Sequence, residues 1–302
     1  MTLGARGDYN SRYGGTFNPR VGVVARLAES RTLKVLFGTA FLAPSPFQAY
    51  SHYGAFTTSD GGQTFASSYW HLPNPDLEPQ RKRTVEVNLL QALGRNFQFS
   101  GSAFYSQFSN LIQTYGPDGT VGGSYLGWPV DYLDYTVNEG HAVAYGATLG
   151  LEYLRILGPD RRLEGHAAVA LADGKRWLRD NPGEASVPSG NMAPLQFRFG
   201  ADADWNGWRI APRVAVVGAQ RVLATAGAAG SLERRTLPGY ATLDVNVRRN
   251  LVKGVSAFLT IENALDRRYL NANPYAYTNL QELIGAPQNP RRLSVGVSLR
   301  AW

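Results

Sequence analysis

The end of the chain alternates between aliphatic and small or polar residues, with Leu293, Val295, Val297 and Leu299 at every second position. Strand side chains point alternately to opposite faces of a sheet, so this pattern predicts a strand with one apolar and one polar face. The same alternation recurs along the whole chain, between connections that are in turn short and long. We therefore predict an all-β protein built from amphipathic strands.

About twelve segments show this alternation, at residues 2–8, 18–28, 32–42, 82–91, 97–109, 143–156, 163–172, 195–205, 208–218, 241–249, 255–263 and 292–301. Short connections lie at 29–31, 93–96, 158–161, 206–207 and 250–254. Long connections, rich in Gly, Pro, Ser, Asn and aromatic residues, lie at 9–17, 43–81, 110–142, 173–194, 219–240 and 264–291. Asn206-Gly207 predicts a type I′ hairpin, because both central residues of that turn need positive φ.

The polar face of these strands carries charge, at Arg198, Asp202, Asp204, Asp244 and Glu262. An apolar core would not tolerate unpaired charge, whereas a water-filled lumen does. With the alternating short and long connections, this predicts part of an antiparallel transmembrane β-barrel of about 12 strands. Its short turns would be periplasmic and its long loops extracellular. Val245 and Leu259 are expected to face lipid, and Asp244 and Thr260 the lumen.

Composition narrows the possible functions. The chain of 302 residues is 44% hydrophobic, contains no cysteine, and has no apolar run of the roughly 18 residues that a membrane helix needs. Its net charge of +7 is spread over turns, loops and the polar face, so nucleic acid is not an expected partner. Phosphate-loop, nucleophile-elbow and metal-ligand motifs are absent from the sequence, so we expect no enzyme activity, metal site or cofactor.

Four motifs of the chain resemble elements of one known protein family. Leu33 to Pro46 (LKVLFGTAFLAPSP) resembles a strand that leads into a Phe-Arg-Ala-Pro-Ser element, with Leu42 in place of the arginine. Asn74 to Pro79 resembles an Asn-Pro-Asp-Leu-Lys-Pro-Glu element. Ile261 to Tyr269 is similar to a penultimate-strand motif, and Pro290 to Trp302 is similar to a terminal strand that ends in an aromatic residue. Together these motifs resemble the C-terminal barrel half of TonB-dependent outer-membrane receptors.

This resemblance implies a location in the outer membrane of a Gram-negative cell. Residues 1–302 would form the C-terminal portion of the barrel, without the plug domain and the first strands. Met1 lies almost directly before a strand, with no signal-peptide features, so we expect a longer parent protein. That protein would import a scarce nutrient, most commonly a ferric siderophore.

The resemblance also implies the partners of the protein. We expect outer-membrane lipid, the barrel-assembly machinery through the C-terminal strand, a small metal-chelate ligand, and the TonB complex through the missing N-terminal plug. Ala301 puts Trp302 out of phase with the apolar face of the last strand, which would weaken recognition by the assembly machinery.

The 43–81 connection is the candidate ligand-binding loop, through Tyr50, His52, Tyr53, Tyr69, Trp70 and His71. Rigid aromatic rings supply contact area at low entropic cost, which suits a bulky siderophore. Haem is an alternative, because imidazole is a suitable axial ligand and haem-importing members of the resembled family carry such a histidine in this region. Asn74 to Pro79 is interpreted mainly as a turn.

Other interpretations remain open at this level. A self-contained passive pore or adhesin of about 12 strands fits the same pattern, as does an outer-membrane phospholipase-like barrel. A soluble β-sandwich or propeller fits the long one-sided loops poorly. On the lumenal face, Arg20, Arg198, Arg209 and Arg213 would meet plug carboxylates or pair with Asp202 or Asp204.

Overall fold

The computed structural model describes residues 1–58, 61–62, 66–115, 123–130, 132–180, 186–188, 192–226, 231–272 and 285–299. Within these ranges the structure is almost entirely β, and the helix found there is α1 (Pro46–Tyr50). No helix in the described part of the chain has the length and apolar character needed to cross a membrane.

The first eleven strands are β1 (Thr2–Asn10), β2 (Gly14–Ala28), β3 (Arg31–Leu42), β4 (Tyr53–Thr57), β5 (Ala66–Leu72), β6 (Gln80–Leu93), β7 (Phe97–Ser109), β8 (Ile112–Tyr115), β9 (Gly123–Tyr125), β10 (Trp128–Val130) and β11 (Tyr132–Asn138). The others are β12 (His141–Gly158), β13 (Arg161–Trp177), β14 (Val187–Pro188), β15 (Leu195–Trp205), β16 (Trp208–Val217), β17 (Gln220–Ala226), β18 (Ser231–Leu237), β19 (Tyr240–Val252), β20 (Val255–Glu262), β21 (Leu270–Ala272), β22 (Gly285–Pro287) and β23 (Arg292–Leu299).

Twelve long strands form one antiparallel sheet, in the order β1-β2-β3-β6-β7-β12-β13-β15-β16-β19-β20-β23. Each long strand pairs with the one before it in the chain, which is the up-and-down order of a membrane barrel. All twelve predicted strands are found, and most extend a few residues further than the sequence indicated. Residues 300–302, with the end of the last predicted strand and the predicted phase of Trp302, lie outside the described residues. The short strands lie in the long connections, on the side opposite the tight turns.

One connection differs from its prediction. Residues 9–17 were expected to form a long loop, but β1 and β2 continue until Asn10 pairs with Gly14, which leaves a three-residue turn. The Asn10 side chain accepts a 2.9 Å hydrogen bond from the Arg12 N–H, and Gly14 has φ +77°. Asn side-chain capping and a glycine with positive φ close tight hairpins, so this connection needs no further length.

The register aligns the apolar positions into a continuous band across the sheet. One row runs from Val21 to Phe37, Val85, Tyr105 and Tyr145 on five successive strands. Many members of the band are exposed, including the alternating aliphatic residues of β23. A wide apolar surface of this kind is what a barrel turns towards lipid. The predicted fold class, an antiparallel transmembrane barrel portion, is confirmed.

The opposite, lumenal face holds paired charges. Asp202 is 8% exposed and accepts hydrogen bonds from Arg209 at 3.0 Å and from Arg213. Arg209 and Arg213 therefore pair with a carboxylate on their own face. This is one of the two interpretations that the sequence left open for the lumenal arginines, the other being contact with a plug domain. Among the described residues, Arg20 and Arg198 form no ion pair.

The tight turns at the other end are bonded to one another. Asn206 and Gly207 have φ +49° and +80°, as the type I′ prediction requires. The Asn206 N–H donates to the Asp160 carbonyl at 3.1 Å, and the Asn250 N–H donates to the Gly207 carbonyl at 2.8 Å. Three neighbouring periplasmic turns are thereby joined into one rim.

Candidate functional site

Two extracellular loops build a small second sheet, in the order β4-β5-β11-β8. Strands β4 and β5 come from the 43–81 connection, and β8 and β11 come from the 110–142 connection. The two loops meet where β5 and β11 run parallel, with His71 opposite Asp134. We call this four-stranded unit the loop sheet. It carries four of the six predicted ligand-binding residues, Tyr53, Tyr69, Trp70 and His71, and a fifth, His52, packs against it.

Helix α1 introduces the loop sheet and has a complete N-terminal cap. The Ser45 side chain accepts a 3.2 Å bond from the Gln48 N–H, and the Gln48 side chain accepts a 3.0 Å bond from the Ser45 N–H. Pro46 in the first turn has the φ that a helix needs. The short helix holds Tyr50, 42% exposed, with the Arg12 guanidinium 5.4 Å from its ring centroid.

One face of the loop sheet is organised around His71. The imidazole is buried, and the rings of Tyr53 and Phe47 stack on it at 5.1 and 6.4 Å. Tyr53 also packs edge-on against Tyr69 at 5.9 Å, while its own ring is 42% exposed. Tyr53 therefore forms the outer layer of this cluster, and His71 forms the inner one.

Asp134 fixes the inner layer. Its carboxylate lies 2.5 Å from His71 Nδ1 and accepts bonds of 3.0 and 3.1 Å from the Tyr69 hydroxyl. Burial, followed by hydrogen bonding with Tyr53 and Asp134, raises the pKa of Tyr69 well above its usual range. The phenol thus remains a donor at any physiological pH. This network connects the two extracellular loops through side chains as well as through backbone.

The other face of the loop sheet is organised around Trp70, which is 8% exposed. His52, Phe56 and Tyr125 surround its indole, with ring centroids 5.6, 5.5 and 5.1 Å away. The exposed imidazole of His52 also makes a 3.0 Å contact from Nε2 to the Tyr125 hydroxyl. Trp70 is therefore a core residue of the loop sheet, whereas His52 lies at its surface.

The six candidate residues do not form one patch. Tyr53, Tyr69 and His71 lie on one face of β4 and β5, His52 and Trp70 lie on the other, and Tyr50 stands apart on α1. Direct contact with an incoming ligand is open to the exposed residues, chiefly Tyr50 and Tyr53. In the described part of the chain no group of three or more His, Cys, Asp or Glu side chains is arranged to hold a metal ion.

The Asn74 to Pro79 element is a turn that anchors the loop sheet. The Asn74 amide donates 2.8 Å to the Thr136 carbonyl, and its oxygen accepts a 3.2 Å bond from the Asp76 N–H. The Asn138 side chain accepts from the Glu78 N–H at 2.7 Å and donates to the Glu78 carbonyl at 2.8 Å. The turn interpretation is confirmed. Sequence reasoning missed these partners on β11, Thr136 and Asn138, and also missed Asp134, the partner of Tyr69 and His71.

Comparison with known proteins agrees with this architecture. Residues 1–264 match the family described as TonB dependent receptor-like, beta-barrel. The chain belongs to this family. The outer-membrane location predicted from the sequence motifs is thereby confirmed.

The chain is also similar to individual relatives. The iron-regulated outer membrane virulence protein of Vibrio cholerae is 31% identical over 112 residues, which is 37% of this chain and 16% of the relative. The ferric enterobactin receptor PfeA of Pseudomonas aeruginosa superposes with a TM-score of 0.71 at 17% identity, over 98% of this chain and 42% of that one. The FrpB iron transporter from Neisseria meningitidis gives 0.64 at 15% identity, over 95% and 39%. The chain thus spans less than half of the proteins it resembles.

Proposed function

We propose that the protein carrying this chain imports a ferric siderophore across the outer membrane with energy from the TonB complex. Residues 1–302 would supply the C-terminal portion of its barrel, and a plug domain elsewhere in the protein would contact TonB. Support comes from the family, from the iron-related names of its relatives, and from one structural observation. That observation is the exposure of two aromatic rings at the extracellular side, Tyr53 on the loop sheet and Tyr50 on the preceding helix α1.

The arrangement of the histidines favours a siderophore over haem. Axial ligation of haem iron needs an imidazole nitrogen that is free to approach the metal. His71 is buried beneath Tyr53 and Phe47 and contacts Asp134, and His52 Nε2 contacts Tyr125. The two imidazoles also lie on opposite faces of the loop sheet, so they cannot ligate one iron together. Flat exposed rings suit broad contact with a chelate instead.

The test uses the exposed residues, because truncation of Trp70 or His71 would disrupt the loop sheet itself. Replacement of both Tyr50 and Tyr53 by alanine is expected to weaken binding of a ferric siderophore at least about 10-fold, since buried tyrosine contacts commonly contribute more than 1 kcal/mol each. His52→Phe, which keeps a ring and removes the ligand nitrogen, should leave binding unchanged. Binding is measured on the full-length protein with ferric catecholate, ferric hydroxamate and haem.

A control variant and three further outcomes distinguish siderophore uptake from the haem and passive-pore alternatives. Tyr9→Ala removes a tyrosine that is even more exposed, at 83%, at the same end of the barrel but outside the loop sheet, and should have no effect. Loss of haem binding in His52→Phe would favour the haem alternative. Uptake that persists in cells without TonB would favour a passive pore. Unchanged binding of every chelate in the double tyrosine variant would exclude the loop sheet as the contact surface.

A further inference from the structure

Four residues form one row across four neighbouring strands at the periplasmic end of the barrel. Arg161 on β13 pairs with Trp205 on β15, Trp205 with Trp208 on β16, and Trp208 with Arg249 on β19. The two central positions flank the Asn206-Gly207 turn. Because alternate strand residues share a face, the row lies on the apolar face that also carries Ile210, at the edge of the lipid-facing band.

The row is held rigidly. The Arg161 guanidinium lies 4.5 Å from the ring centroid of Trp205, and that of Arg249 lies 5.1 Å from Trp208, both within cation–π range. Arg161 Nε donates to the Asn206 side-chain oxygen at 3.3 Å, and Arg249 Nη1 donates to the Asn206 carbonyl at 2.6 Å. The two arginines thus contact the turn from both sides. These contacts within the protein fix the orientation of both guanidinium groups before any ligand binds.

Both guanidinium groups still have hydrogen-bonding capacity. A guanidinium has five N–H donors; cation–π contact uses its flat face, and the bond to Asn206 uses one edge. No carboxylate forms an ion pair with Arg161 or Arg249 in the described part of the chain. Their neighbours differ in this respect, because Arg162 pairs with Glu164 and Arg209 with Asp202. The row therefore keeps two uncompensated positive charges on its surface.

The row is open to the lipid-facing side of the rim rather than to the lumenal groove beneath the turns. That groove of about 390 Å³ under the joined turns lies mainly on the lumenal side, because its charged lining residues Arg162, Asp204, Arg209 and Arg248 belong to the lumenal face. The acidic residues of the groove are Asp160 and Asp204, and Asp204 lies 3.9 Å from Arg209. The indoles of Trp205 and Trp208 are about half exposed. Apolar rings and free guanidinium edges thus meet at the membrane boundary on the lipid-facing side of the rim.

We propose that this Arg–Trp–Trp–Arg row binds the phosphate of an anionic phospholipid in the periplasmic leaflet. Tryptophan partitions to the headgroup level of membranes, which places the row at the depth of the phosphates. Guanidinium groups bind phosphate through paired N–H donors and are weakly hydrated. Two uncompensated charges favour an anionic headgroup over a zwitterionic one. The bound lipid would anchor the rim between β13 and β19.

The test measures lipid selectivity at the row itself. The full-length protein is reconstituted in nanodiscs that contain brominated phosphatidylglycerol or brominated phosphatidylcholine, which quench nearby tryptophan. The fluorescence difference between this protein and Trp205→Phe/Trp208→Phe reports the row alone. We expect half-quenching at a lower mole fraction of phosphatidylglycerol than of phosphatidylcholine. Arg161→Gln/Arg249→Gln should reduce that preference by about 5-fold per guanidinium.

A charge-matched control distinguishes a site from general surface charge. Arg31→Gln/Arg95→Gln removes two exposed arginines near the neighbouring turns of the same rim and should keep the preference. Equal quenching by both lipids in the unmodified protein would overturn the proposal, as would the same loss in the control. If the glutamine variant does not fold, Arg161→Lys/Arg249→Lys keeps the charge without the paired donors. That variant should show an intermediate preference, and an unchanged one would also overturn the proposal.

Discussion

Replacement of Leu149 by arginine is expected to lower the free energy of unfolding of the barrel by about 2–4 kcal/mol. Leu149 lies in the middle of β12, the strand of 18 residues, and is 48% exposed on the apolar face. Its neighbours across the sheet are Gly101 and Val169, which offer no partner for a charge. In the membrane the exposed surface contacts hydrocarbon, so a guanidinium there would lose its hydration without compensation.

The adjacent residue provides the control. Thr148 points to the lumenal face, where its cross-strand neighbours are Ser102 and Ala170. Thr148→Arg places the same side chain one residue away in a polar, wet environment and should cost well under half as much. Both variants are measured by denaturant unfolding of the full-length protein in lipid vesicles. Equal costs at the two positions would show that the assignment of faces is wrong.

The barrel strands could be predicted because their signal is local. Each strand separates lipid from lumen along its whole length, so its residues alternate whatever the rest of the chain does. β23 shows this most clearly, with Leu293 64% and Leu299 77% exposed on one face. The end of β1 was less clear, because Gly14 and Gly15 in a polar stretch indicated a loop. Side-chain capping by Asn10 decided the turn there.

The loop sheet could not be predicted, for a different physical reason. Both of its faces carry rings, so Tyr69, Trp70 and His71 follow one another without a polar residue between them. Alternation between apolar and polar positions therefore disappears, although the backbone is a strand. Its pairing with β11 also joins segments about 63 residues apart, as the His71–Asp134 contact shows. Only the folded chain brings such partners together.

For the candidate ligand residues, the sequence indicated the segment but not which side chains are exposed. Aromatic composition selected a segment in which Tyr50 and Tyr53 are exposed, and its contact with a ligand stays a prediction. It did not distinguish them from Trp70 and His71, which are buried, because burial depends on rings from the second loop, such as Tyr125. Composition alone thus finds an aromatic loop, whereas the division into core and contact residues follows from the loop sheet.

Asp134→Ala is expected to separate the two extracellular loops while the barrel stays intact. The carboxylate is the acceptor for the Tyr69 hydroxyl and the partner of His71 Nδ1, and all three groups are buried or half-buried. A buried donor without an acceptor costs about 1–3 kcal/mol. With two such groups, the free energy needed to open the loop sheet should fall by about 3 kcal/mol. Amide hydrogen exchange in β5 and β11 should then become roughly 100-fold faster.

Two control variants, and the amide exchange of the barrel itself, show whether the effect is confined to the loop sheet. Asp76→Ala removes an exposed carboxylate from the same loop and should leave exchange unchanged. Asp134→Asn keeps one acceptor oxygen for His71 or Tyr69 and should show a smaller increase. Amide exchange in the centre of β12 should remain slow in all three variants, because its hydrogen bonds belong to the barrel sheet. Faster exchange throughout the barrel in Asp134→Ala would mean that the loop sheet and the barrel unfold as one unit. Unchanged exchange in β5 and β11 would mean that backbone pairing alone holds the loops together.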